Sequence, residues 1–268
     1  MRISTALAHL KEKSSLGKSF AYIALGLLLL GLILWTILKP GEPEIDLPTQ
    51  YTYETFQATN GLVLHALITD PENIRLEAIE QNLLDLPRYG MNGGFFYESS
   101  LLSIAVNDGQ PVIGKPGGYG SGWSNVKYAR GTLVWDRESK KFSVQVVTSA
   151  DKLTVTQPER YWAQGGISMN LQAGESWHTL AEAEHMPGID NLHMRTGLVY
   201  TKDGQLQLLV TNDLCTAGDF RAAVLEWGGE TFVDGIFLDG DGSSQLKAKE
   251  VELAGDRRLV RQMIRLIR

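Results

Sequence analysis

The chain has 268 residues, with 25 Lys and Arg against 31 Asp and Glu, and a formal net charge of −6. Its length suits one large domain or two small ones, and a single cysteine, Cys215, excludes an internal disulfide. Residues 1–39 hold five basic side chains and one acid, which leaves 20 basic and 30 acidic side chains, a net charge of −10. A domain with this charge repels a phosphate backbone, so nucleic acid is excluded as a partner.

The first predicted element is a membrane-spanning helix over residues 20–38. These 19 residues carry no charge, and as a helix they are long enough to cross a bilayer. Basic residues precede the segment, so the positive-inside rule places residues 1–19 in the cytoplasm. A cleaved signal peptide and a buried core helix are the alternatives. We expect a single-pass protein of the bacterial inner membrane, with the C-terminal domain periplasmic or extracellular.

Residues 39–50 are rich in proline and acids and read as a linker, followed by one domain over residues 51–268. Its pattern predicts an α+β fold, with a β-rich mixed sheet and a few flanking helices. The predicted strands span residues 51–56, 62–68, 74–79, 132–135, 142–147, 198–200, 206–210 and 233–238.

Two further segments are predicted closer to the C-terminus. Residues 220–227 form the clearest helix of the domain, ended by a pair of glycines. Residues 256–268 carry five arginines among apolar residues, which fits either a basic amphipathic helix or a closing strand. We favour the strand, because a chain end that joins a sheet is common in β-rich surroundings.

Chemistry-bearing residues follow the predicted strand 233–238, in the loop Asp239-Gly240-Asp241-Gly242-Ser243. The glycines allow a ligand to approach the backbone, and the carboxylates can move a proton or hold a sugar hydroxyl. The loop lacks the sixth-position glycine of an EF-hand, and helices do not flank it. Asp239 and Asp241 could still bind Ca²⁺ or Mg²⁺ in another geometry; no other cofactor is predicted.

A second cluster, Asn92-Gly93-Gly94-Phe95, leads into two more aromatic residues and Glu98. Aromatic faces beside amide and carboxylate groups suit sugar rings. The alternative is a turn followed by an aromatic strand that packs in the core.

Two shorter motifs contain Gln164-Gly165 and Arg195-Thr196. Arg195 lies among apolar neighbours, so its charge needs a partner, either a phosphate or a carboxylate in a structural ion pair. His193, two residues before Arg195, is the only histidine with a suggestive position.

In this order, the motifs resemble those of the phosphodiester glycosidase family over about residues 55–268. The resemblance implies hydrolysis of the bond between a sugar's anomeric carbon and a phosphodiester oxygen, in a glycan or glycolipid. It implies Asp239 as the catalytic carboxylate, Glu98 as a second, and Arg195 as a phosphate clamp. The remaining matched residues would bind substrate: Asn92, Gly93, Gly94, Phe95, Gln164, Gly165, Thr196, Gly240, Asp241, Gly242 and Ser243.

Two places depart from the family pattern. Asn212-Asp213-Leu214 stands where the family tends to have Asp-Gly after its strand, and Asp241 stands where the family usually has glycine. The departure at Asp241 leaves open a second hypothesis, a catalytically inactive glycan-binding or scaffold subunit on the same fold. Such a subunit would belong to an envelope assembly and have envelope proteins as partners.

Overall fold

The computed structural model of the chain describes residues 25–31 and 47–268. Residues 25–31 are helical and exposed, whereas the rest of the predicted membrane segment and residues 1–19 and 39–46 lie outside the described residues. Among the residues that are described, no helix is both long and apolar enough to cross a membrane. Residues Leu47–Arg268 form a compact unit.

This unit is an α+β fold dominated by strands. The strands are β1 (Thr52–Gln57), β2 (Val63–Thr69), β3 (Ile74–Gln81), β4 (Gly90–Asn92), β5 (Phe96–Tyr97), β6 (Ser100–Leu101), β7 (Ala105–Asn107), β8 (Gln110–Pro111), β9 (Arg130–Asp136), β10 (Lys141–Val147), β11 (Tyr161–Gly165), β12 (Ile167–Ser168), β13 (His193–Thr201), β14 (Leu206–Cys215), β15 (Phe232–Phe237), β16 (Leu246–Lys247), β17 (Glu252–Leu253) and β18 (Val260–Leu266). The α-helices of the unit are α1 (Trp177–Ala183) and α2 (Ala217–Gly228). Short 3₁₀ turns span Pro71–Asn73, Leu83–Asp85, Ala150–Lys152, Gly174–Ser176 and Asp241–Ser243.

Three antiparallel sheets carry the fold instead of the predicted mixed sheet, because every pair of strands in the described residues is antiparallel. Each sheet takes its name from one of its interior strands. The β13 sheet has the order β1-β2-β14-β13-β15-β12. The β9 sheet has the order β10-β9-β11-β7-β8, and the β18 sheet has the order β17-β16-β4-β18-β3. Strands β5 and β6 form a separate hairpin.

The core explains why the central strands read as continuous apolar runs. Leu198 and Leu208 point into a cluster shared by all three sheets, whereas Val199 and Leu209 point to the opposite face. There they pack with Phe220 of α2. Because both faces of the β13 sheet are buried, its strands need apolar residues at successive positions.

The predicted strands and the C-terminal strand are confirmed. Strand β18 pairs with both β3 and β4, so it is central to its sheet rather than a basic surface helix. Helix α2 begins three residues earlier than predicted, because Thr216 and Asp219 form a reciprocal capping box. Helix α1 and the short strands β4 and β11 escaped prediction.

Candidate functional site

The loop after β15 opens into a cleft. We call it the Asp239 cleft. It is lined by Phe95, residues 186–188, His193, Arg195, residues 238–241 and Arg258. The structure therefore brings the predicted Asp239 loop together with Arg195 and Phe95, which are far apart in sequence.

Asn92 fixes the backbone of the loop from behind the cleft. Its Nδ2 donates a hydrogen bond to the Asp239 carbonyl at 2.8 Å, and its Oδ1 accepts from the Gln245 amide at 3.0 Å. The Thr196 hydroxyl donates to the same Oδ1 at 3.2 Å, and the Asp239 amide donates to the Gly93 carbonyl at 3.2 Å. Since Asn92 is 1% exposed, it positions Asp239 instead of reaching a ligand.

The Asp239 carboxyl has an unusual protonation equilibrium. Burial raises its pKa to about 7, while a hydrogen bond from Ser243 and the charge of Arg258 act in the opposite direction. The neighbouring Asp241 carboxylate adds to the increase. A carboxyl whose pKa lies near neutrality suits a group that transfers protons.

Asp241 lies at the mouth of the cleft in a left-handed backbone conformation, with φ of 54°. Its Oδ1 lies 3.4 Å from Nδ1 of His193, and its Oδ2 lies 3.4 Å from Nη2 of Arg258. Arg258 is also paired through Nε with both oxygens of Asp256, at 2.9 Å each. The Asp241 carboxylate therefore occupies the place between two groups that can bind an anion.

Arg195 is buried, with 6% of its surface exposed. Its Nε donates to the Cys215 carbonyl at 3.2 Å, and its Nη2 donates to the carbonyls of Gly188 at 2.8 Å and Asn191 at 2.7 Å. Burial lowers the pKa of Arg195, but a guanidinium keeps its proton in proteins. None of the ion pairs within residues 47–268 includes Arg195, and the carboxylates of Asp241 and Asp219 act on its charge from a longer distance.

A second buried arginine holds the other end of the same wall. Arg130 donates from Nε to the Glu184 carbonyl at 3.2 Å and from Nη2 to the His185 carbonyl at 3.0 Å. The Glu184 carboxylate accepts from the amides of Gly131 at 2.7 Å and Ser168 at 2.9 Å. Residues 184–191, which include the cleft residues 186–188, are thus fixed at both ends.

The glycines of the other two motifs serve packing within the protein. A Cβ on Gly93 would overlap the amide of Gln262, and one on Gly165 would overlap the side chain of Asn125. Gly94 is equally confined. Close packing within the protein therefore explains why these three positions hold glycine, and contact with a ligand is not required to explain it.

The predicted residue Gln164 is fully buried behind the cleft. Its Oε1 accepts from Nε2 of Gln262 at 2.6 Å, and its own Nε2 donates to the Gly165 carbonyl at 2.9 Å. Gln262 in turn accepts from the Gly94 amide at 2.8 Å. Gln164 therefore joins β11 to β18 and does not face the cleft.

Within the Asp239 loop, the members have different tasks. Gly240 lines the cleft, whereas a Cβ on Gly242 would overlap the carboxylate of Asp256. Ser243 is buried and donates its hydrogen bond to Asp239. Gly242 and Ser243 consequently shape the loop from within.

The structure does not bring Glu98 into the cleft. Glu98 is exposed in the turn of the β5–β6 hairpin, and its carbonyl accepts from Nε of Arg261 at 2.7 Å. The two carboxylates in the cleft are instead Asp239 and Asp241. The sequence does not mark Arg258 as a cleft residue, because its segment carries only the pattern of a closing strand.

Among the described residues, no group of three or more His, Cys, Asp or Glu side chains is placed to hold a metal ion. A cation held by Asp239 and Asp241 with other oxygen ligands stays a prediction.

Comparison with known proteins gives a likeness of fold. No known protein family matches the sequence, and no curated protein matches it. The structure resembles that of the zebrafish N-acetylglucosamine-1-phosphodiester alpha-N-acetylglucosaminidase catalytic domain auto-inhibited by pro-peptide, with a TM-score of 0.52 and 13% identity. The match covers 84% of this chain and 85% of that chain. A hypothetical protein from Synechocystis also matches, with a TM-score of 0.46 and 11% identity, over 80% of this chain and 61% of that one.

The Asp239 cleft combines a titratable carboxyl with several groups that bind anions. Arg195 and Arg258 carry positive charge, and the imidazole of His193 can form a hydrogen bond. This combination can hold a phosphate group while a carboxyl moves a proton beside it.

Proposed function

We propose that the protein is a hydrolase that cleaves a sugar-1-phosphodiester bond in a glycan or glycolipid. The observation that carries the proposal is the Asp239 carboxyl, whose pKa is about 7, in a cleft that also contains Arg195 and Arg258. The similarity of fold to a glycosidase catalytic domain supports the same reaction class.

The proposed reaction adds water across one bond. The water oxygen bonds to the anomeric carbon, and the bond from that carbon to the phosphodiester oxygen breaks. Ionised Asp239 accepts the proton of the attacking water, and Arg195 and Arg258 stabilise the departing phosphate monoester. Because phosphate is a good leaving group, a strong general acid is not required, which agrees with the position of Glu98 outside the cleft.

The test is hydrolysis of a panel of single-sugar 1-phosphodiesters by the full chain, followed as released reducing sugar. Asp239→Asn should lower kcat by about 10²- to 10⁴-fold, since it removes the base. Wild-type kcat/KM should rise between pH 5 and 8 as Asp239 ionises. The exposed Asp85→Asn variant is the matched control. An Asp239→Asn variant with wild-type turnover would remove Asp239 from the chemistry.

A second candidate is a glycan-binding or scaffold subunit without activity, favoured by the contacts of Asp241. Its carboxylate lies against His193 and Arg258, where it competes with a phosphate for the same cations. The Asp241→Gly variant separates the candidates, because glycine also suits the left-handed backbone at this position. An inactive parent that gains hydrolysis on this change would be a lapsed enzyme; a parent that is already active contradicts the second candidate.

We also propose that residues 20–38 anchor the protein in the bacterial inner membrane and that Ca²⁺ or Mg²⁺ assists the cleft. The uncharged sequence of residues 20–38 supports the anchor, and the carboxylates of Asp239 and Asp241 support the cation. Extraction of membranes with carbonate tests the first, because an anchored protein stays in the pellet. Assays with EDTA and with each cation restored test the second.

A further inference from the structure

A groove with unusually exposed aromatic residues lies next to the Asp239 cleft. Its lining includes Phe96, Tyr97, Tyr119, Lys127, Tyr128 and Arg130. We call it the tyrosine groove. Tyr97 is 66% exposed and Tyr119 is 76% exposed. A contiguous patch of exposed apolar side chains marks a binding site more often than a single exposed side chain does.

Three chain segments are joined by backbone hydrogen bonds to form this groove. The Leu101 amide donates to the Gly120 carbonyl at 3.0 Å, which attaches the loop of Tyr119 to the β5–β6 hairpin of Tyr97. The Val126 amide donates to the Leu102 carbonyl at 2.9 Å, which attaches the segment of Lys127. The exposed rings are therefore held on a fixed backbone.

The rings differ in what they already contact. Tyr128 stacks on His185 with ring centroids 3.7 Å apart, and the Arg130 guanidinium lies 5.5 Å from its centroid. Tyr97 and Tyr119 stack on no other aromatic ring within residues 47–268. These two rings are available to a ligand.

Residues that line the groove are close neighbours of residues that line the cleft. Phe95 lines the cleft and precedes Phe96 of the groove, and the Arg130 guanidinium lies 5.2 Å from the Phe95 ring centroid. On the other side, His185 stacks on Tyr128 and precedes Met186 of the cleft. A chain-like ligand that leaves the cleft can thus continue into the groove.

The charge of the groove selects among such ligands. Its charged lining residues are Lys127 and Arg130, and none of the described residues that line it is acidic. This contrasts with the acidic surplus of residues 40–268. Aromatic faces favour sugar rings, and the cations favour anionic substituents on them.

We propose that the tyrosine groove binds an anionic oligosaccharide, whose rings stack on Tyr97 and Tyr119 and whose negative groups lie near Lys127. The proposal rests on the proposed function in one respect, since it makes this oligosaccharide the continuation of the sugar that is cleaved in the Asp239 cleft. It adds the substrate class, a charged sugar chain longer than one unit.

The test is calorimetric titration of the full chain with tetragalacturonate and with the neutral tetramer of N-acetylglucosamine. The double variant Tyr97→Ala/Tyr119→Ala should weaken tetragalacturonate binding by about tenfold or more, because it removes two stacking faces. Leu214→Ala, at a residue 62% exposed outside the groove, should leave it unchanged. Lack of binding to the anionic tetramer, or equal affinity in the double variant, would overturn the proposal.

The Lys127→Met variant tests the charge. It should weaken tetragalacturonate binding several-fold at low salt and leave neutral binding unchanged. Lys140→Met is the matched control, since Lys140 is also an exposed lysine with a positive φ, 53° against 72° for Lys127. If both tetramers bind equally well in wild type and Lys127→Met, the anionic part is wrong.

Hydrolysis of single-sugar phosphodiesters separates this proposal from the proposed function. The tyrosine variants should retain wild-type kcat on these short substrates, because the groove lies outside the cleft. Binding of tetragalacturonate without any hydrolysis would contradict the enzyme and support the groove. Hydrolysis of the short substrates without binding of tetragalacturonate would support the enzyme and contradict the proposed groove.

Discussion

At the scale of single residues, the two carboxylates of the cleft show how environment divides chemically identical groups. Burial is the main cause that raises the pKa of Asp239 to about 7. The Asp241 carboxylate instead lies between the imidazole of His193 and the guanidinium of Arg258. The short sequence between them gives no hint of this difference. The sequence of the loop marks Asp239 as a candidate. It does not show that His193 and Arg258 lie against Asp241, because these residues come from β13 and from the connection that precedes β18.

The first prediction concerns Asp239 and stability. The folded-state pKa of this acid is raised above its unfolded value of 3.8, so the folded state holds its proton more tightly. The stability of the wild type should therefore fall as pH rises from about 4 to about 7, and stay low above that. Asp239→Asn removes this penalty. It should be more stable than wild type by about 1 to 3 kcal/mol at pH 8.5 and by a much smaller amount at pH 4.5.

Urea unfolding of the full chain at both pH values measures the difference. Asp85→Asn, at an exposed carboxyl, controls for the general effect of removing a negative charge. A variant destabilised equally at both pH values would show that the Asp239 carboxyl is not held in its protonated form.

At the scale of elements, the backbone of segment 184–191 is held in place by side chains from other parts of the chain. Two guanidinium groups, those of Arg130 and Arg195, take four of its backbone carbonyls as acceptors. An arginine can do this because its donors are arranged in a fixed planar fork. The segment has no regular secondary structure, and four of its carbonyls are nevertheless hydrogen-bonded within the protein.

We predict that Arg130→Lys loosens this wall. Lysine keeps the charge but cannot donate to the Glu184 and His185 carbonyls in the same geometry, so stability should fall by about 1 to 3 kcal/mol. In Arg130→Lys, hydrogen exchange of the amides in residues 184–191 should become faster than in wild type, and this increase should exceed the one in β13. Arg160→Lys, at an exposed ion pair with Glu138, should change neither quantity. Unchanged exchange in Arg130→Lys would show that the segment holds itself.

The elements themselves were predictable to differing degrees. The strands of the β13 sheet and the hairpin β9–β10 have long apolar or alternating runs, which identify strands without tertiary information. Strands β4 and β11 are short and contain glycine and buried amides, so their composition resembled that of a binding loop. The motifs at Asn92 and Gln164 therefore pointed to the neighbourhood of the cleft. Their side chains do not line it, and they make hydrogen bonds within the protein behind it.

At the scale of the whole molecule, buried amides join the three sheets. Asn92 of the β18 sheet is bonded to Thr196 of the β13 sheet, and Gln262 of the β18 sheet is bonded to Gln164 of the β9 sheet. A buried polar network fixes the mutual position of its elements more narrowly than apolar contacts do. The Asp239 loop lies at this junction, through its bond from Asn92.

We predict that Gln262→Leu destabilises the protein by about 2 to 4 kcal/mol, because it leaves the Gly94 amide and the Gln164 oxygen buried without partners. Chemical denaturation of the full chain measures the loss. Gln57→Leu is the matched control at an exposed position of β1. An equal effect of both changes would mean that the network contributes little to joining the sheets.

The arginine-held wall also bears on how fast a ligand can enter. Because residues 184–191 are fixed before any ligand is present, association requires no ordering of that side of the cleft. Binding should then be a single kinetic step whose rate depends on encounter and on attraction by Arg195 and Arg258. The observed association rate should rise linearly with ligand concentration and fall as salt is added.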